Sequence, residues 1–191
     1  MIMQNKTLYV LLLITCCISC NSPKKDFKIT GSVPSTKYDG EWIYLVPIEG
    51  ANSHTVDSVK IANASFTFEG NIERMSIIRS RALLRLKLQE LLIVTEPGTT
   101  KAILDSVSSA HGTPQNDALQ LWKEEREKSM SAYSFVTAGL RSVSGKDSLR
   151  WLSQKDAIIK REKLFNERFL KEQGDNTVGT FVRKLTGNSN K

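Results

Sequence analysis

The residues richest in chemistry stand together near the start of the chain. Cys16, Cys17 and Cys20 lie in the stretch LLITCCISCNSPKK, and no cysteine follows in the rest of the 191-residue sequence. Three soft ligands in so short a span do not make a zinc or iron–sulfur site, which draws four ligands from separate folded loops. His54 and His111 are far away and unrelated in spacing. Cys17-Ile18-Ser19-Cys20 has the C-x-x-C form of a thiol–disulfide centre, but such a centre sits between a strand and a helix N-terminus that lowers a thiol pKa. Here the preceding residues are the apolar run from Leu8 to Ile14, behind a short polar start whose single cation is Lys6. A charged start, an apolar core of about ten residues and then small residues is the layout of a secretory signal, too short to span a bilayer stably.

The end of that signal selects among the cysteines. Bacterial lipoprotein signals end in a small residue followed by a cysteine that receives a diacylglycerol thioether, and Ser19-Cys20 fits. The segment resembles a lipobox in which Cys17 replaces the usual leucine. Cleavage between Ser19 and Cys20 would make Cys20 the lipid attachment site and the new N-terminus; a plain secreted protein and an uncleaved anchor are the alternatives. Residues 1–19 are then the signal peptide and residues 20–25 a polar, proline-interrupted tether. Cys16 and Cys17 leave with the signal, so the mature chain has neither free thiol nor disulfide. Asn21, rather than an aspartate, points to the outer membrane facing the periplasm.

Elsewhere, residues that could do chemistry are scattered. His54 and His111 are isolated, Asp57-Ser58 lacks a placed histidine, and no glycine-rich loop is built to cradle a phosphate. No metal, no cofactor and no catalysis are expected. Asp57-Ser58-Val59, Asp105-Ser106-Val107 and Asp147-Ser148-Leu149 resemble a short O-glycosylation pattern of exported proteins. Ser58, Ser106 and Ser148 are therefore candidate acceptors, where average composition would supply roughly half a match. Asp147 is equally a helix cap.

The formal net charge is +7, and loss of Lys6 with the signal leaves 7 − 1 = +6. Residues 26–105 carry nine Lys+Arg against ten Asp+Glu, whereas residues 106–191 carry fifteen against ten. The basic residues alternate with acids, as in Lys123-Glu124-Glu125-Arg126-Glu127-Lys128, so this charge reads as solvated helix faces and not as a nucleic-acid surface.

The same midpoint divides two textures. From Phe27 to Asp105 apolar residues recur every second position between Gly, Pro, Asn and Asp, which predicts six to eight short strands. Phe27 and Ile29 share one strand face, Ile43 and Leu45 another, and Phe66 and Phe68 point inward. Leu84 to Gln89 also alternates and is expected to be a strand continuing into Leu91–Val94. After Asp105 the period becomes helical. Thr113-Pro114 predicts a threonine cap and a helix to near Leu140, with Trp122 buried. Asp147 is expected to cap a second helix ending at Gly174, and Thr177 a short third one. The fold class is α+β: an antiparallel β-sandwich or partly open barrel over 26–110, then a helical hairpin region over 111–191.

Phe27-Lys28-Ile29-Thr30-Gly31, Trp42-Ile43-Tyr44-Leu45, Val56-Asp57-Ser58-Val59 and Phe66-Thr67-Phe68-Glu69-Gly70 together resemble a domain of unknown function found N-terminal to thioredoxin-like domains in Gram-negative envelope lipoproteins. Gly112-Thr113-Pro114-Gln115-Asn116 and Asp175-Asn176-Thr177-Val178-Gly179 resemble its helical connector. Where that family turns on Asn-Gly or Asp-Gly, this chain has Asn63-Ala64. A left-handed alanine costs about 1 kcal/mol, so a different turn type is expected. The resemblance implies an envelope role, but no C-x-x-C follows to carry disulfide chemistry. Two readings result. The chain is a non-catalytic binding or accessory lipoprotein with an envelope protein or ligand as partner, or it is the N-terminal portion or docking subunit of a thioredoxin-like oxidoreductase.

Overall fold

The computed structural model describes residues 26–187. Its strands are β1 Phe27–Ser32, β2 Trp42–Pro47, β3 Asp57–Lys60, β4 Ser65–Gly70, β5 Met75–Ser80, β6 Leu91–Val94, β7 Gly98–Ile103 and β8 Ser109–His111. Three helices follow: α1 Pro114–Arg141, α2 Lys146–Gln173 and α3 Thr177–Leu185. The strands form two four-stranded sheets, ordered β4-β1-β7-β8 and β3-β2-β5-β6. Both are open and mostly antiparallel; the exception is the parallel pair β1–β7. The architecture is the expected α+β one, a sandwich-like β part followed by helices.

Alternation along the strands builds the core, because successive side chains point to opposite faces. Phe27, Ile29, Phe66 and Phe68 from the first sheet meet Ile43, Leu45, Ile78, Leu91 and Ile93 from the second in one buried cluster. The β1–β4 register explains the paired aromatic–glycine motifs. Phe27 lies opposite Gly70 and Gly31 opposite Phe66. A Cβ on Gly70 would stand 2.7 Å from the Phe27 ring, and one on Gly31 would enter the Phe66 ring. Each phenylalanine thus covers the glycine of the other strand.

Two turns depart from the sequence-based expectation. Asn63 and Ala64 both have positive φ, 52° and 55°, so the left-handed turn is kept although alanine stands where glycine is favoured. Asp39 stabilises it: its carboxylate accepts the Asn63 N–H at 3.0 Å and the Ala64 N–H at 2.9 Å. Leu84 to Gln89 is not a strand. Ala82–Leu84 is a 3₁₀ turn, and the amides of Leu84, Arg85, Lys87 and Leu88 donate to carbonyls three or four residues back, so they cannot pair with a neighbouring strand. Leu83 and Leu86 are 89% and 96% exposed, while Leu88 reaches the core.

The helices pack on the outer face of the second sheet at one end, where Met75 and Val94 are neighbours in register. There Leu119 and Trp122 of α1, Phe169 of α2, and Val178 and Val182 of α3 form a second cluster. α1 and α2 make the expected antiparallel hairpin, with the Trp122 Nε1–H donating to Asn166 Oδ1 at 3.0 Å. Beyond this base each helix has only the other to lean on, so Met130, Leu149, Leu152, Ile159 and Leu164 remain exposed. Gly174 closes α2 as expected, with φ 58°. The caps differ from expectation. Gly145 occupies the cap position of α2, with Asp147 in the first turn, and Asn176, not Thr177, caps α3 by accepting the Gly179 N–H at 2.8 Å.

Candidate functional site

A buried polar knot sets where the helices stand. The first turn of α1 exposes backbone N–H groups that need acceptors. Thr113 occupies the cap position, but its side chain makes no capping bond. Glu96, from the β6–β7 connection, does that work: its Oε1 accepts the Gln115 N–H at 2.7 Å and the Asn116 N–H at 2.9 Å. A carboxylate also suits the positive end of the helix dipole. Asn116 turns its carboxamide against the edge of β6, accepting the Val94 N–H at 2.9 Å and donating to the Val94 carbonyl at 2.8 Å. The Thr113 hydroxyl instead accepts from Asn116 Nδ2 at 2.8 Å and pairs with Thr100 of β7. Gln115 carries the network onward. It donates to Glu73 at 2.8 Å and accepts the Val178 N–H at 3.1 Å, which fixes α3 against the second sheet.

Held this way, α3 stops part-way across the outer face of that sheet. Trp42, Tyr44 and Val46 of β2 and Ile77 of β5 lie on this outer face beyond the helices, with Val46 and Ile77 as register partners. Trp42 is 39% exposed, with the Lys60 ammonium over its ring. Between this face and α3 runs a groove of about 210 Å³, walled by Ile48, Glu49, Arg74, Met75, Phe181 and Lys184. Lys184 donates to Glu49 at 2.7 Å across its mouth, and that hydrogen bond holds the Glu49 carboxyl below the usual carboxylate range.

Arg74 is the unusual member. Its Nη2 donates to the Thr55 carbonyl at 2.9 Å, while its Nε is buried without a hydrogen-bond partner. Among the described residues its guanidinium has no carboxylate within salt-bridge reach, whereas Arg79, Arg81, Arg126 and Arg183 pair with Glu90, Glu41, Glu162 and Asp175. The sequence offered little notice of this groove, since Arg74 stands in a short linker and its neighbours come from separated segments.

The candidate residues read from the sequence are not brought together. Ser19 and Cys20, with the whole signal and tether, lie outside the described residues. Ser58 is exposed on β3, and Ser106 is exposed in the β7–β8 turn. Ser148 is half-buried in the first turn of α2, its hydroxyl donating to the Gly145 carbonyl. His54 is exposed in the β2–β3 loop, and His111 stands 3.4 Å from Asp117 on the surface. Among the described residues no group of three His, Cys, Asp or Glu side chains is placed to hold a metal ion, and no helix is long and apolar enough to cross a membrane.

Residues 27–119 match the family model described as Domain of unknown function (DUF4369). This stretch is similar to that family. No match is found among curated proteins or solved structures. The DUF4369 match begins at the first residue of β1 and ends inside α1, so it includes all eight strands and Glu96, Thr113 and Asn116 of the knot. Phe181 and Lys184, which form one wall of the groove, lie beyond it.

Proposed function

We propose that this chain is a non-catalytic envelope lipoprotein, anchored through Cys20 in the outer membrane and facing the periplasm, whose DUF4369-like domain and helices serve as a binding or accessory module. The contact surface is the uncovered outer face of the second sheet together with its groove. The observation that carries this reading is the alignment of exposed Trp42 and half-buried Tyr44, Val46 and Ile77 on a sheet face whose Met75, Val94 and Leu92 the helices cover. Aromatic and aliphatic side chains gathered on an open face are what partner surfaces use, aromatic residues above all. The signal layout and Ser19-Cys20 support the anchor.

Two measurements test the proposal. Fatty-acid labelling in cells should mark the parent chain and the Cys16→Ala and Cys17→Ala variants, but not Cys20→Ala; label retained in Cys20→Ala removes the anchor. A photo-crosslinking residue at Ile77 should give discrete adducts in intact envelopes, whereas the same residue at Thr67, on the polar outer face of the first sheet, should not. Equal adducts at both positions would show that the apolar face is not the contact surface.

A further inference from the structure

We propose that the groove between β5, the segment following β2 and α3 binds a small monoanionic carboxylate that carries an apolar body, with Arg74 as its counter-ion. This rests on the binding reading above and names the chemistry of the ligand. A half-buried guanidinium is costly to leave without an anion; among the described residues six other arginines have a carboxylate within 4.0 Å, and those without one, Arg141, Arg150 and Arg161, are exposed to water whereas Arg74 is half-buried. Arg74 lines the cavity, and its guanidinium makes a single hydrogen bond, to a carbonyl, while its Nε is buried and unpartnered. Its planar fork matches a carboxylate.

The remaining walls define the rest of the ligand. Ile48, Met75 and Phe181 offer an apolar bed for one aromatic or branched group, and about 210 Å³ is less than the roughly 300–1,000 Å³ of sites for larger ligands. Glu49 at the rim, with Lys184 already bound to it, leaves Arg74 as the single uncompensated cation of the groove, which fits one negative charge better than two. A free small carboxylic acid and a polypeptide ending in an apolar residue offer the same chemistry.

The test is calorimetric titration of the full-length chain in lipid nanodiscs with 3-phenylpropanoate and with N-acetyl-leucyl-phenylalanine, each beside its neutral primary amide. Both acids should bind at least about tenfold more tightly than their amides, the effect of one charge-assisted contact. Arg74→Met should remove that difference, and Phe181→Ala should weaken acid and amide alike. Comparable affinity for the two acids assigns the site to free acids; a peptide preference of about tenfold or more assigns it to chain ends. Equal affinity for acid and amide in the unmodified chain, or no binding of either acid, overturns the proposal without reference to any variant. Discrete crosslinks at Ile77 alongside that result would leave the binding reading standing with a different ligand.

Discussion

Asn116→Ala should cost about 3–5 kcal/mol of stability. Asn116 is 1% exposed, and its carboxamide is the partner of both the N–H and the carbonyl of Val94 on the edge of β6. Truncation leaves that donor and acceptor buried and unpaired, each costing about 1–3 kcal/mol. The side-chain volume lost adds a small cavity term. Thr113 and Thr100 add little, because their hydroxyls stand 3.2 Å apart and can pair with each other. Urea unfolding of a chain beginning at Asn21, followed by far-ultraviolet circular dichroism and tryptophan fluorescence, measures the change. Asn116→Asp is the sharper variant: it keeps the shape but turns an acceptor toward the Val94 carbonyl and Glu96. It should be at least as destabilising at neutral pH and recover in part as acid protonates the new carboxyl. An Asn116→Ala chain within about 1 kcal/mol of the parent would refute the claim that this side chain ties the helices to the sheets.

Phe68→Ala, at a 3% exposed core position, should cost about 3–5 kcal/mol in the same unfolding experiment; an unchanged midpoint would contradict the register of β4. Gly31→Ala should cost about 1–3 kcal/mol by driving the Phe66 ring off its seat, and adding Phe66→Leu should recover part of that loss, whereas strict additivity would mean that the two side chains do not meet. Ala64→Gly should stabilise by about 1 kcal/mol by relieving a left-handed alanine, and a neutral or negative effect would contradict the turn. Lys123 should titrate near pH 8, lowered by burial against the opposing effect of Glu124. Below that pH its charge is carried in folded and unfolded chains alike and the burial penalty is fully present. Stability should then rise between about pH 8 and pH 10.5 as the unfolded chain alone holds the proton. Nuclear magnetic resonance of ¹³C-methylated lysines reads this directly, and a titration above pH 10 would contradict it.

The strands were legible where one face meets a core, as at Phe27/Ile29 and Phe66/Phe68, because burial imposes the period of two. Leu84 to Gln89 has the same period without that cause: its leucines alternate along a loop, and local amide–carbonyl bonds fix its course. The start of α1 was legible from Thr113-Pro114, but its true cap was not, since Glu96 lies in another connection and reads in sequence merely as the end of a strand. The parallel pairing of β1 with β7 was equally hidden, because alternation says which face a residue takes and nothing about which strand lies beside it. Asn63-Ala64 shows the same limit in small: the residue preference pointed away from a left-handed turn, and Asp39, twenty-four residues earlier, reverses it. The groove was the least legible feature. Arg74 becomes conspicuous only when three separated segments are seen to leave it without an anion.

The place of β1 in its sheet also governs the order in which the chain can fold. β1 is the first of the described strands to be synthesised, yet it lies between β4 and β7, with Phe27 beside Gly98. Its antiparallel side can form once residues 65–70 are available, but its other side must wait for residues 98–103. The edge of β6 waits longer still for Asn116, and the cluster over Met75 for Val178 and Val182. Closing long segments before their contacts repay the lost entropy makes such folding slow. A chain emerging from its N-terminus can therefore close the core between its sheets only after residues 98–111 are available, and the second cluster only when α3 arrives.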